Sequence, residues 1–142
     1  MKQLPFTANP PLIRTCFDSQ QAWEMVCTLI RAPQYFWGDP FYANVDLLDD
    51  IEFANLATED LMARASVNYP HSFLLVADRI AITPPEFPIL VIDLYGARGR
   101  TFRAIPSQIQ GIENNLSIAN MDFFEFADNV DEDGIFRGFP ES

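Results

Sequence analysis

Asp93 stands inside the apolar run Ile89 to Tyr95, where a carboxylate is costly unless something pairs with it. Arg100 and Arg103 follow a Gly96-Ala97-Arg98-Gly99 turn, and the register of the resulting hairpin decides which of the two faces the acid. Such a carboxylate is either half of a structural ion pair or the perturbed acid of a cleft. Further on, Glu113-Asn114-Asn115 places three polar side chains in succession, suited to capping, turns or hydrogen bonds to a ligand. Asp93, Arg100, Arg103, Glu113, Asn114 and Asn115 are therefore the candidate binding residues.

A second set points to different chemistry. Asp18, Asp49, Asp50 and Asp78 fall just after segments that read as strands, and four carboxylates at strand carboxyl ends could hold Mg²⁺ for hydrolysis or phosphoryl transfer. Asp18 is also in place to cap a helix, and no glycine-rich loop with a lysine is present to cradle a phosphate. Cys16 lies at a strand-to-helix turn, where a thiolate nucleophile could sit, but no Arg follows at phosphatase spacing and Asp18 would oppose the anion, so it reads as a semi-buried small apolar residue. The single histidine, His71, belongs at the start of a central strand, at the other end of the sheet from Cys16, and reads as a structural histidine bonded to backbone. Asn129 to Gly134 imitates the front of a calcium loop, but Pro140 occupies the position where a bidentate Glu is required, so the segment reads as an acidic helix end with a Gly cap. No residue is assigned as catalytic and no cofactor is expected.

The elements that must position these groups follow from periodicity. Leu12 to Arg14 forms a short strand after an extended arm of residues 1–11. Trp23, Val26, Cys27 and Ile30 repeat as i, i+3, i+4, i+7, a buried helical stripe with Asp18 as N-cap and Pro33 as stop. Tyr35-Phe36-Trp37-Gly38-Asp39-Pro40 reads as an aromatic loop that plugs the core or, less often, lines a binding surface, where it and the Asn114-Asn115 loop would border a small-molecule pocket. From Phe41 to Leu47 the period becomes two, as in a half-exposed strand. Thr58, Glu59 and Asp60 open a second helix. Phe73 to Ala77 and Ile89 to Ile92 are continuous apolar runs suited to central strands, and Thr101 to Ile105 completes a hairpin with the latter. Pro106 opens a C-terminal helical region in which Phe123, Phe126, Ala127 and Val130 share one face. The order β-α-β-α-β-β-β-α-α predicts an α/β (or α+β) protein with a single mixed sheet of about five strands, in one domain of 142 residues.

Composition narrows the partners. The net charge of −11 opposes nucleic acid and anionic lipid and favours a basic protein partner. Residues 39–60 and 122–133 together hold thirteen of the twenty acids and no basic residue. The start of the chain has no apolar leader, and no apolar run approaches membrane-spanning length, so a cytoplasmic monomer or small homo-oligomer is expected. A non-catalytic interaction protein, in one version an immunity or antitoxin-like cover for a cationic partner, is the leading expectation. The alternative is a hydrolase or phosphoryl-transfer enzyme that uses Asp18, Asp49, Asp50 and Asp78 with Mg²⁺, or Asp93 with Arg103 and Glu113.

Ala77-Asp78-Arg79, Val91-Ile92-Asp93-Leu94-Tyr95, Gly99-Arg100-Thr101-Phe102-Arg103 and the stretch from Glu113 to Phe139 resemble an uncharacterised family of small bacterial proteins, a domain of unknown function. The similarity runs from Leu12 to Phe139. It implies a bacterial cytosolic origin and brings no activity or catalytic residue with it.

Overall fold

In the computed structural model, which describes residues 1–140, eight strands and four α-helices run in the order β1 (Pro11–Arg14), α1 (Gln20–Arg31), β2 (Gln34–Phe36), β3 (Asp39–Phe41), β4 (Asp46–Leu48), α2 (Thr58–Arg64), β5 (Phe73–Ala77), β6 (Ile89–Asp93), β7 (Thr101–Ala104), α3 (Pro106–Ser117), α4 (Phe123–Ala127) and β8 (Ile135–Phe136). A 3₁₀ turn at Ile51–Phe53 precedes α2. With β2, β3 and β8 set aside, the order is the one that periodicity predicts. Six strands, rather than about five, form the mixed sheet β4-β1-β5-β6-β7-β8, and β2-β3 forms a separate two-stranded ribbon.

The apolar runs explain the sheet. Every residue of β5 is buried, and alternate side chains go to opposite faces: Phe73, Leu75 and Ala77 pack in one core, Leu74 and Val76 in the other. The first core is closed by the stripe Trp23, Val26, Cys27 and Ile30 of α1, by Ile109, Ile112 and Leu116 of α3, and by Phe123 and Phe126 of α4. The second is closed by Leu61 and Ala65 from the α2 region, Phe53 of the 3₁₀ turn and Leu4 of the N-terminal arm. Both β-α-β crossovers join parallel strands, since β1 pairs in parallel with β4 on one side and β5 on the other. The β6-β7 hairpin is antiparallel, with Leu90 opposite Arg103 and Ile92 opposite Thr101.

Several local expectations give way to better bonding. Ser19, not Asp18, caps α1 by accepting the N–H of Ala22, while Asp18 pairs with Arg79. The half-exposed strand expected over Phe41 to Leu47 divides: β3 pairs with β2, β4 pairs with β1, and the intervening Ala43 and Val45 are buried in the first core. Val130 lies beyond α4, which ends at Ala127. Gly134 is no helix cap; with φ of +81° it makes the turn that leads into β8. There β8 adds to the sheet beside β7, and Phe136 joins Phe102, Phe123 and Phe126, with ring centroids 5.0 to 6.4 Å apart. The phenylalanine-rich C-terminus is thus largely core.

Candidate functional site

The six candidate binding residues separate between the two ends of the sheet. Asp93 and Arg100 lie at the turn end of the β6-β7 hairpin, beside the start of β5, whereas Arg103 sits at the far end of β7. Arg103 makes a two-pronged pair with Asp78 (2.9 and 2.7 Å) and donates to the Pro88 carbonyl. Arg100 pairs with Asp128. The expected pairing of Asp93 with an arginine is therefore replaced. Its carboxylate accepts the backbone N–H groups of Tyr95 (2.9 Å), Gly96 (3.2 Å) and Ala97 (2.8 Å). Three local donors satisfy a carboxylate that is only 3 % exposed, and they fix the turn that follows β6.

Glu113, also only 3 % exposed, has no cation beside it and is held by hydrogen bonds. One oxygen accepts the backbone N–H of Asn44 (2.7 Å) and the Asn114 amide (2.9 Å), and the other accepts the Ser117 hydroxyl (2.6 Å). The Asn114 amide also donates to the Tyr42 carbonyl (3.0 Å), and Gln110 donates to the Asn114 oxygen. Asn115 turns inward along its own helix, donating to the Gly111 carbonyl and accepting from Asn120, which closes the end of α3. Glu113 and Asn114 thus clamp residues 42–44 onto α3.

What leaves that clamp is the β2-β3 ribbon. Its two-residue connection, Trp37-Gly38, has positive φ at both positions (+52° and +83°), the signature of a type I′ hairpin turn. Trp37 is 97 % exposed at the tip, and Tyr35, Phe36, Phe41 and Tyr42 are exposed with it. The Phe36 and Phe41 rings meet edge to face at 5.6 Å. The segment therefore plugs no core. It is an aromatic ribbon standing in solvent, and none of its rings lines the cleft that Asn114 borders. The signal was present in the sequence as a Trp-Gly pair flanked by two short aromatic stretches.

Beside the clamp lie two adjoining clefts, of about 570 and 600 Å³, that share Pro10, Pro70, His71 and Ser117. Asp93 and Arg100 line the first, Glu113 and Asn114 the second. They open at the amino ends of β1 and β5, opposite to the strand ends where ligands were expected. The N-terminal arm supplies Thr7 and Asn9 to one wall. His71 latches that arm, with Nε2 2.7 Å from the Thr7 carbonyl, so Nε2 carries a proton and the histidine bonds to backbone as its position suggested.

At the carboxyl ends, the carboxylates of the Mg²⁺ reading are dispersed among separate cations: Asp18 with Arg79, Asp49 with Arg14, Asp50 with Lys2, Asp78 with Arg103. No three of the described residues' His, Cys, Asp or Glu side chains are grouped to hold a metal. The residue missed there is Arg14, 3 % exposed, stacked over Phe17 and Trp23 and bonded to Gln20, Asp49 and the Cys16 carbonyl. Nothing in the sequence around Arg14 distinguishes it from a surface arginine. Asp131 and Asp133 of the calcium-like segment both bind Arg137, which also holds Glu86; the guanidinium keeps Glu86 and Asp133 below the usual carboxylate range. No helix of the described residues is long and apolar enough to cross a membrane.

Neither the curated proteins nor the solved structures contain a match. One family model aligns with residues 9–139, from the end of the arm through β8, and so takes in the clamp, the ribbon and the whole lining of the first cleft; the chain belongs to the family DUF6924, a domain of unknown function.

Proposed function

We propose that this is a non-catalytic interaction protein that engages a basic protein partner through the β2-β3 ribbon. The observation that carries the reading is Trp37, fully exposed and held in a left-handed backbone conformation at the tip of an aromatic ribbon. Solvent exposure of five clustered aromatic rings is unfavourable for an isolated molecule, and a bulky residue in that conformation costs about 1 kcal/mol. Trp and Tyr are the side chains that most often dominate protein interfaces. The buried clamp at Glu113 and Asn114 supplies rigidity, which lowers the entropy lost on binding.

The charge of −11 gives the partner its sign and would speed encounter. Lys2, Arg14, Arg100 and Arg137 offset part of the two acidic segments, but Asp39, Glu52, Glu59 and Glu132 have no ion-pair partner among the described residues. An immunity or antitoxin-like cover for a cationic protein, in a bacterial cytoplasm, is the concrete form of this reading. The enzyme alternative loses support because its four carboxylates are occupied by separate cations.

The test is co-purification from cells of the source organism at low and high salt, with Trp37→Ala in parallel. The reading expects a basic partner that is retained by the unaltered chain at low salt, released at high salt and lost with Trp37→Ala. Recovery of an acidic or neutral partner, or equal recovery by the variant, overturns it.

A further inference from the structure

We propose that the first cleft, between the start of β5, the turn after Asp93 and the α3-α4 connection, is a binding site for a small organic cation carried on an apolar body. This inference is independent of the ribbon. At about 570 Å³ the cleft is of ligand size. Its floor is apolar, with Phe73, Leu116 and Phe123 buried beneath it. Its rim carries two rings left in solvent, Tyr95 at 85 % and Phe124 at 53 % exposure. Aromatic rings present a negative face, and an ammonium ion placed over one is attracted by about 0.5–2 kcal/mol.

The charged groups decide which ligand fits. Asp93 lines the cleft as a carboxylate satisfied by neutral N–H donors, and Asp122 lies exposed at its edge with no ion-pair partner among the described residues. Arg100 is the one cation of the lining, and Asp128 offsets it. His71 has Nε2 tied to the Thr7 carbonyl, so in the neutral ring its other nitrogen is an acceptor. Just beyond the shared wall stands Glu113, a third carboxylate without a cation. The balance around the cleft is negative, within a molecule that is itself strongly acidic. An anionic ligand would meet a net repulsion that the single, already paired Arg100 does not reverse, and a neutral one would leave the rim carboxylate unused.

Titration calorimetry of the full chain with phenethylammonium, 2-phenylethanol and phenylacetate separates the alternatives, because the three share a ring and differ in charge. The ammonium should bind about tenfold or more tightly than either of the others. Tyr95→Ala and Phe124→Ala, both at exposed positions and checked for folding by circular dichroism, should each weaken it about fivefold, and Asp122→Asn should remove the preference for the cation. Trp37→Ala should leave the titration unchanged. Equal or tighter binding of the alcohol or the acid, no binding of any probe up to about 10 mM, or indifference to both ring truncations would overturn the assignment while leaving the ribbon reading intact.

Discussion

Replacing Glu113 with Ala removes the acceptor for three donors at once: the Asn44 N–H at 2.7 Å, the Asn114 amide at 2.9 Å and the Ser117 hydroxyl at 2.6 Å. The two side-chain donors can turn toward the neighbouring cleft and recover water, so each costs about 0.5 kcal/mol. The backbone N–H is fixed, and losing a charge-assisted bond there costs about 1.5 kcal/mol. The sum is about 2–3 kcal/mol, which for a chain of this size lowers Tm by about 6–9 °C. Glu113→Gln keeps an acceptor of the same shape and should cost about 1 kcal/mol. Thermal unfolding followed by circular dichroism gives the global number, and hydrogen exchange of residues 38–45 gives the local one. Because the clamp holds the base of the ribbon, exchange there should accelerate about tenfold or more in Glu113→Ala relative to β5. A Tm loss under about 3 °C with unchanged exchange over 38–45 would refute the clamp.

Other consequences are separately measurable. Asp93→Ala strips the acceptor from three backbone N–H groups and should destabilise the protein by about 3 kcal/mol in urea unfolding, with Asp93→Asn recovering about half. Arg137 depresses the carboxyls of Glu86 and Asp133, so the stability they contribute is present above their unfolded values and is lost as pH falls through the lower folded ones. Hydrogen exchange around Asp131 to Phe136 should therefore quicken as pH falls through and below the ordinary carboxylate range, after correction for intrinsic rates, and Arg137→Gln should abolish that dependence. Burial pushes the Cys27 thiol up to about 11, so native protein at pH 8 should leave Cys27 unmodified by iodoacetamide while urea-unfolded protein reacts.

Legibility in the sequence tracked how local the cause was. The stripe Trp23, Val26, Cys27 and Ile30 is the buried face of α1 because helical spacing alone places those four residues together. The β5 run and the β6-β7 hairpin follow from apolar continuity and one glycine-bounded turn in the same way. Asp93 was visible as an anomaly, yet its solution was local backbone, three N–H groups within four residues, rather than a distant arginine. β8 is two residues long and exists through its pairing with β7, so no pattern within it could announce a strand. Arg14 and the Glu113 clamp depend on partners as far apart as Asp49 and Asn44, contacts set by topology. The clefts formed at the amino ends of the parallel strands because the N-terminal arm and the end of α3 wall that side, again a product of chain path. The aromatic ribbon is different: its Trp-Gly turn is readable, but clustered rings are more often core, and nothing local to the segment says that these stand in solvent.

The central claim is that Trp37 is the anchor of an interface and contributes nothing to folding. It is tested most directly by measuring, for the basic partner recovered by co-purification, the Kd of the unaltered chain and of Trp37→Ala alongside the Tm of each. Loss of a central aromatic anchor should weaken binding by about 2–3 kcal/mol, roughly a hundredfold, while Tm stays within about 2 °C. Equal affinity at equal stability, or a drop in Tm large enough to explain the lost binding, would contradict it.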